Sequence, residues 1–130
     1  MAEGWARSLL RENCIAYSAG VVAHGLNPMA VRVMAEVGVD ISGQRSRTID
    51  DLPKIAFDLV VTVCDNARES CPILPGATAK VHHSFDDPPR LTVGMLDDDA
   101  LPVYQRVRDE IREMVLGLKS YLGTLRTAGA

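Results

Sequence analysis

No two lysines or arginines are adjacent anywhere in this chain of 130 residues, and the 14 of them are outnumbered by 17 acids for a formal net charge of -3. Nucleic acids and anionic membranes select basic stripes, so neither is an expected partner. Any anionic substrate must be held by local geometry. No apolar run approaches the ~20 residues of a spanning helix, and the N-terminus lacks the basic-then-apolar pattern of a secretory signal. Cytoplasmic residence is the expectation. Three cysteines are too few for a secreted disulfide framework, and an odd number points to thiols kept for chemistry or for filling a core. Repeats, low-complexity tracts and Ser/Gly linkers are also missing from the sequence. Residues 1–130 therefore read as a single domain, large enough to bury roughly two thirds of its unfolded surface.

What is present alternates between two periods. Trp5, Leu9 and Leu10 lie on a helical spacing from Met1 to about Glu12, which predicts an opening helix. Cys14 to Ala19 reads as a short strand ended by Gly20. Asn27-Pro28 is an N-cap followed by proline in the first helical turn, and Val31, Met34, Ala35 and Val37 follow before Gly38 stops the helix. Asp58 to Val63 is β-branched and apolar, as expected of a parallel strand covered on both faces, and Cys64 ends it. Lys80 to Ser84 is a weaker, partly polar edge strand. Asp97, Asp98 and Asp99 open a long amphipathic helix carrying Leu101, Val103, Val107, Ile111, Met114, Val115, Leu118 and Leu122. Strands alternating with helices imply an α/β fold with an open parallel sheet, in which ligands bind beyond the carboxyl ends of the strands. The segments after Ala19, Val63 and Ser84 are then the ones to inspect.

The densest chemistry runs from Cys64 to Pro72, Cys-Asp-Asn-Ala-Arg-Glu-Ser-Cys-Pro. Cys64, at the end of an apolar strand, is open to two readings: a small core residue or a reactive thiol. Cys71 stands in a polar loop where packing gives little reason for sulfur. The two thiols meet only if the loop folds back or a helical turn unwinds, which suits a disulfide passed along a relay. Arg68 and the amides of a helix starting after Cys64 would favour the thiolate of that residue. Zinc is a poor alternative, because the spacing of Cys64, Cys71, His82 and His83 fits no common finger and adjacent strand histidines face opposite ways. His24 reads as a loop-ordering hydrogen bonder, and Cys14 as packing. In Phe85-Asp86-Asp87-Pro88-Pro89-Arg90 an Asp-Pro turn follows a strand end, where a proline-braced carboxyl is placed to act as a general acid.

Met1 to Arg7, Tyr17 to Gly20, Ala23 to Pro28, Cys64 to Pro72 and Phe85 to Pro88 together resemble the thioredoxin-coupled arsenate reductases of the low-molecular-weight protein tyrosine phosphatase superfamily. The resemblance extends from Met1 to about Leu118. It implies an open parallel four-stranded-type sheet flanked by helices. It also implies a nucleophilic cysteine in a Cys-x5-Arg loop that attacks arsenate or a phosphate-like oxyanion. On this resemblance Cys64 is the first relay thiol, Cys71 the second, and Asp87 the acid that protonates the leaving oxygen. A Cys64–Cys71 disulfide is left for thioredoxin, with glutaredoxin or a small thiol as other possible donors. No bound cofactor is implied beyond a potassium ion found in some members. Glu3 and Ser18 match two of its ligand positions, but Arg47 occupies a third that is usually acidic, which counts against potassium here.

The residues six after Cys14, Cys64 and Cys71 are Gly20, Ser70 and Ala77, so no Cys-x5-Arg occurs in the sequence. In the family that loop, and the first central strand before it, precede the residues that match Met1 to Gly4. The expectation is that Met1 is an internal methionine of a longer, monomeric protein and that these 130 residues turn over no arsenate. A tyrosine phosphatase of the same fold and a catalytically inactive binding or regulatory domain are the alternatives.

Overall fold

The structure, a computed structural model, describes residues 1–12, 14–19, 27–44, 48, 51–52, 57–63 and 79–128, with side chains as far as residue 123. Its elements in chain order are α1 (Ala2–Leu9), α2 (Pro28–Glu36), β1 (Leu59–Thr62), β2 (Ala79–His82), a one-turn α3 (Pro88–Leu91) and the long α4 (Asp97–Ala128).

The termini of α2 follow from its sequence. The Asn27 side chain accepts hydrogen bonds from the amides of Met29 and Ala30, at 2.8 and 3.3 Å, with Pro28 in the first turn. At the other end Gly38 adopts φ +79°, its N–H reaches Ala35 O, and Val39 N–H reaches Met34 O, both at 3.0 Å. This is a Schellman closure, which needs the left-handed conformation that glycine adopts without a steric cost. Just beyond it, Asp40 accepts from the Ser42 hydroxyl at 2.6 Å and from the Ser42 amide at 2.9 Å. Those donors hold the Asp40 carboxyl below its ordinary range.

α4 buries Tyr104, Val107, Ile111 and Val115 along one stripe, at three- and four-residue intervals. Around that stripe pack Trp5 and Leu10, Ala30 and Met34 of α2, and Val39 and Ile41. Gly4 lets α1 come this close, since a Cβ there would stand 2.5 Å from Ile41 Cγ2. The Trp5 indole N–H donates to Arg108 O at 3.0 Å. Arg108 in turn donates to Val33 O at 3.0 Å and pairs with Glu36 at 3.2 Å, which latches α2 to α4.

β1 and β2 are parallel, with Leu59 opposite Ala79 and Thr62 opposite His82. A parallel pair requires a crossover, so the α/β expectation is met. Two details differ from the sequence reading. Residues 14–19 form no strand: Cys14 N–H bonds Leu10 O, Ala16 O accepts from Arg7, and Ile15 is 83% exposed. Their backbone groups are drawn to α1 rather than to a ladder. β1 is also only half covered, with Thr62 its one buried residue, because it has a ladder neighbour on one side only among the described residues. No helix of the described residues is long and apolar enough to cross a membrane.

Candidate active-site rim

Parallel strands deliver their carboxyl ends to one rim, and here the ladder continues past the regular strands. His83 N–H donates to Thr62 O at 2.9 Å, and Phe85 N–H donates to Val63 O at 3.1 Å. The second bond breaks the even alternation of the ladder by one residue, so β1 leaves the pleat at Val63. Side chains brace the same end. Thr62 Oγ1 and His82 Nδ1 lie 2.6 Å apart, and the His83 ring stacks on Phe85 with centroids 4.4 Å apart. Phe85 rests against the helical core. The two histidines thus have separate structural roles, as their adjacency on a strand requires.

Cys64 follows Val63 directly, and Asp86 and Asp87 follow Phe85, so both segments depart from one hydrogen-bonded point. Cys64 and Cys71 themselves lie outside the described residues, as do His24 and Arg47. Asp87 is described. It caps α3 through its backbone carbonyl, which accepts from the amides of Arg90 and Leu91 at 3.1 Å, while its side chain makes no cap bond. Pro88 is buried and Asp87 is exposed, so the carboxylate is carried on a braced backbone and turned to solvent. Its neighbour has the opposite assignment. Asp86 pairs with Arg106 of α4 at 2.9 Å, and Arg106 also pairs with Glu110 at 3.0 Å. The Asp86–Arg106 tether is absent from the sequence reading, for a pair twenty residues apart across a loop leaves no periodic signal.

Glu3 and Ser18, the two potassium-matching residues, do come together. Glu3 is buried, and it accepts from the Ser18 hydroxyl at 2.7 Å and pairs with Arg7 at 3.2 Å. The Arg7 guanidinium already supplies the positive charge that this carboxylate faces, which counts against a potassium ion there. Cys14 packs against the core, as its position at the start of an apolar segment suggests. Asp97 to Asp99 open α4 and serve its first turn. A cleft of about 570 Å³ between α1, the end of α2 and α4 is lined by Trp5, Val39, Asp109 and Arg112, and it includes no strand-end residue.

The low molecular weight phosphotyrosine protein phosphatase family matches residues 1–127. The chain belongs to that family. This low molecular weight phosphatase relative is 45% identical over 115 residues to the arsenate reductase of Halalkalibacterium halodurans, covering 88% of this chain and 81% of that protein. It is 48% identical over 111 residues to the arsenate reductase of Bacillus subtilis, covering 85% and 78%. Among solved structures, an arsenate reductase in the phosphate binding state superposes with a TM-score of 0.74 at 27% identity. Another in the oxidized state gives 0.72 at 28%. Each alignment covers 93% of this chain and 86% of the other. The α/β sheet flanked by helices is therefore the family's fold, and the chain is an enzyme of this kind.

Proposed function

We propose that the chain carries the cysteine relay of an arsenate reductase, an enzyme that converts arsenate to arsenite as a cytoplasmic monomer and takes its electrons from thioredoxin. The observation that carries this reading is the shared origin of the segments bearing Cys64 and Asp87, at the Val63–Phe85 hydrogen bond. Proteins named arsenate reductase, at 45% and 48% identity, supply the oxyanion.

In this reading the groups take the parts that the family resemblance implies, and the electrons balance. A nucleophilic thiolate bonds to arsenic(V) as one arsenate oxygen leaves as water, and Asp87 donates a proton to that oxygen. The Cys64 thiolate then attacks the nucleophile's sulfur. The S–As bonding pair stays on arsenic, which departs as arsenic(III). The Cys71 thiolate next attacks the Cys64 sulfur, releases the nucleophile as a thiol, and leaves a Cys64–Cys71 disulfide. Two electrons from an external dithiol reopen it. The nucleophile is not encoded in the 130 residues, which hold no Cys-x5-Arg, so they supply the relay and the acid.

The test is mass spectrometry of the oxidised chain. The relay predicts loss of two hydrogens, mapped to a Cys64–Cys71 bridge that reduced thioredoxin reverses, while the 130 residues alone form no arsenite from arsenate. Absence of the bridge under mild oxidation would sink the relay. The family's own description favours a second reading, a phosphatase of aryl phosphates, which predicts turnover of p-nitrophenyl phosphate by a nucleophile-bearing form and indifference to thioredoxin.

A further inference from the structure

Between α3 and α4 the chain makes a turn that presents apolar side chains where turns are ordinarily polar. Val93 is 81% exposed and Leu96 75%, with Met95 at 49% and Leu91 at 45% beside them. The turn is tightly bonded. The Thr92 hydroxyl donates to Pro88 O at 2.7 Å, Met95 N–H to Thr92 O at 3.0 Å, and Gly94 takes φ +79°. Leu96 itself precedes α4 and accepts the helix's opening bond from Ala100 N–H at 2.9 Å. That position favours Asn, Asp or Ser, whose side chains satisfy the first amides, and leucine satisfies none. A solvent-facing leucine in place of a cap works against local stability. Departures of this kind concentrate where function is served.

We infer that this turn is the docking surface for the protein dithiol that reduces the chain, an inference that rests on the relay reading. Three observations name the occupant. The turn follows Leu91 on the segment that carries Asp87 away from the Val63–Phe85 hydrogen bond, the same point from which the chain runs on to Cys64. Its backbone is fixed by those hydrogen bonds before contact, which lowers the ordering cost of association. Its flanks are acidic: Asp87 on one side and Asp97, Asp98 and Asp99 on the other are exposed, and Arg90 is the one cation between Asp86 and Asp99. The complementary partner has an apolar surface around its exposed cysteine and basic residues at the edge. A small-molecule thiol needs no such surface. In the exchange the donor's thiolate attacks one sulfur of the Cys64–Cys71 bridge, its second thiol resolves the mixed disulfide, and the donor leaves oxidised with both electrons delivered to this chain.

The experiment compares two reductants on the oxidised full chain, with bridge reduction followed in time. For the V93D/L96D variant, reduction by thioredoxin is expected to slow by about tenfold or more, as loss of a central apolar anchor does in protein interfaces. Reduction by dithiothreitol should be unchanged, which a damaged fold would not allow. The D97N/D98N/D99N variant keeps the apolar residues and is expected to flatten the salt dependence of the thioredoxin rate alone. An unchanged thioredoxin rate in V93D/L96D overturns the proposal, and a loss of self-association in the same variant would assign the turn to a second copy of the chain instead. Equal slowing with both reductants also overturns it, by placing the effect in the relay. Failure of the unmodified chain to form the bridge removes the relay reading and this inference together.

Discussion

Asn27 shows how one side chain joins two elements. Its Oδ1 caps α2, and its Nδ2 donates to the hydroxyl of buried Tyr104 on α4 at 3.0 Å. An alanine there leaves two amides and a buried phenol short of partners. N27A is expected to lose about 1–2 kcal/mol in urea unfolding. N27D should stay within about 0.5 kcal/mol of the parent, since aspartate caps as well as asparagine and accepts from the phenol once its hydroxyl turns. Equal losses in the two variants would show that the cap, rather than the side chain's bulk, has been misread. Asp86 and Asp87 teach the complementary lesson about adjacent identical residues. One is tied to Arg106, and the other has its carboxylate turned to solvent. The second is the residue to which the family resemblance assigns the acid's part, on its place directly before Pro88.

At the scale of elements, the sequence was legible wherever a local rule decides the outcome. Asn27-Pro28 and Gly38 bounded α2 because cap and Schellman chemistry act within four residues, and the three aspartates opened α4 for the same reason. The long stripe through Val107, Ile111 and Val115 was equally plain. Residues 14–19 were misread as a strand because a strand is a relation between two segments, and its pairing cannot be seen within one. The Arg108 latch is another nonlocal feature. Its side chain is 11% exposed, and the guanidinium spans Val33 O, Glu36 and Asp109, while nothing in the periodicity of α4 distinguishes it from the other arginines. A charge-assisted bond to a backbone carbonyl contributes more than an exposed ion pair. R108A is therefore expected to cost about 1.5–3 kcal/mol by denaturant unfolding, whereas E36A, which leaves the Val33 bond intact, should cost under about 1 kcal/mol.

For the molecule as a whole, the described structure divides the work between a helical core and a short ladder. The helices bury one another around Trp5, Met34, Val107 and Val115, while β1 and β2 pair with each other and meet that core through Phe85. The ladder end at Val63 and Phe85 is thus not the part on which stability rests, a division that the proposed relay would use. Local opening follows the density of buried apolar contacts, so the two parts should exchange their amide hydrogens differently. The amides of Val107, Ile111 and Val115 are expected to exchange only by global unfolding, with denaturant dependence to match. Those of Val81 and His83, ladder donors, should exchange faster through an opening that exposes little surface. Oxidation of the chain should alter the second set and leave the first untouched. If ladder and α4 amides merge into a single class in the reduced protein, the rim is as rigid as the core, and the electron relay must work without the freedom assigned to it.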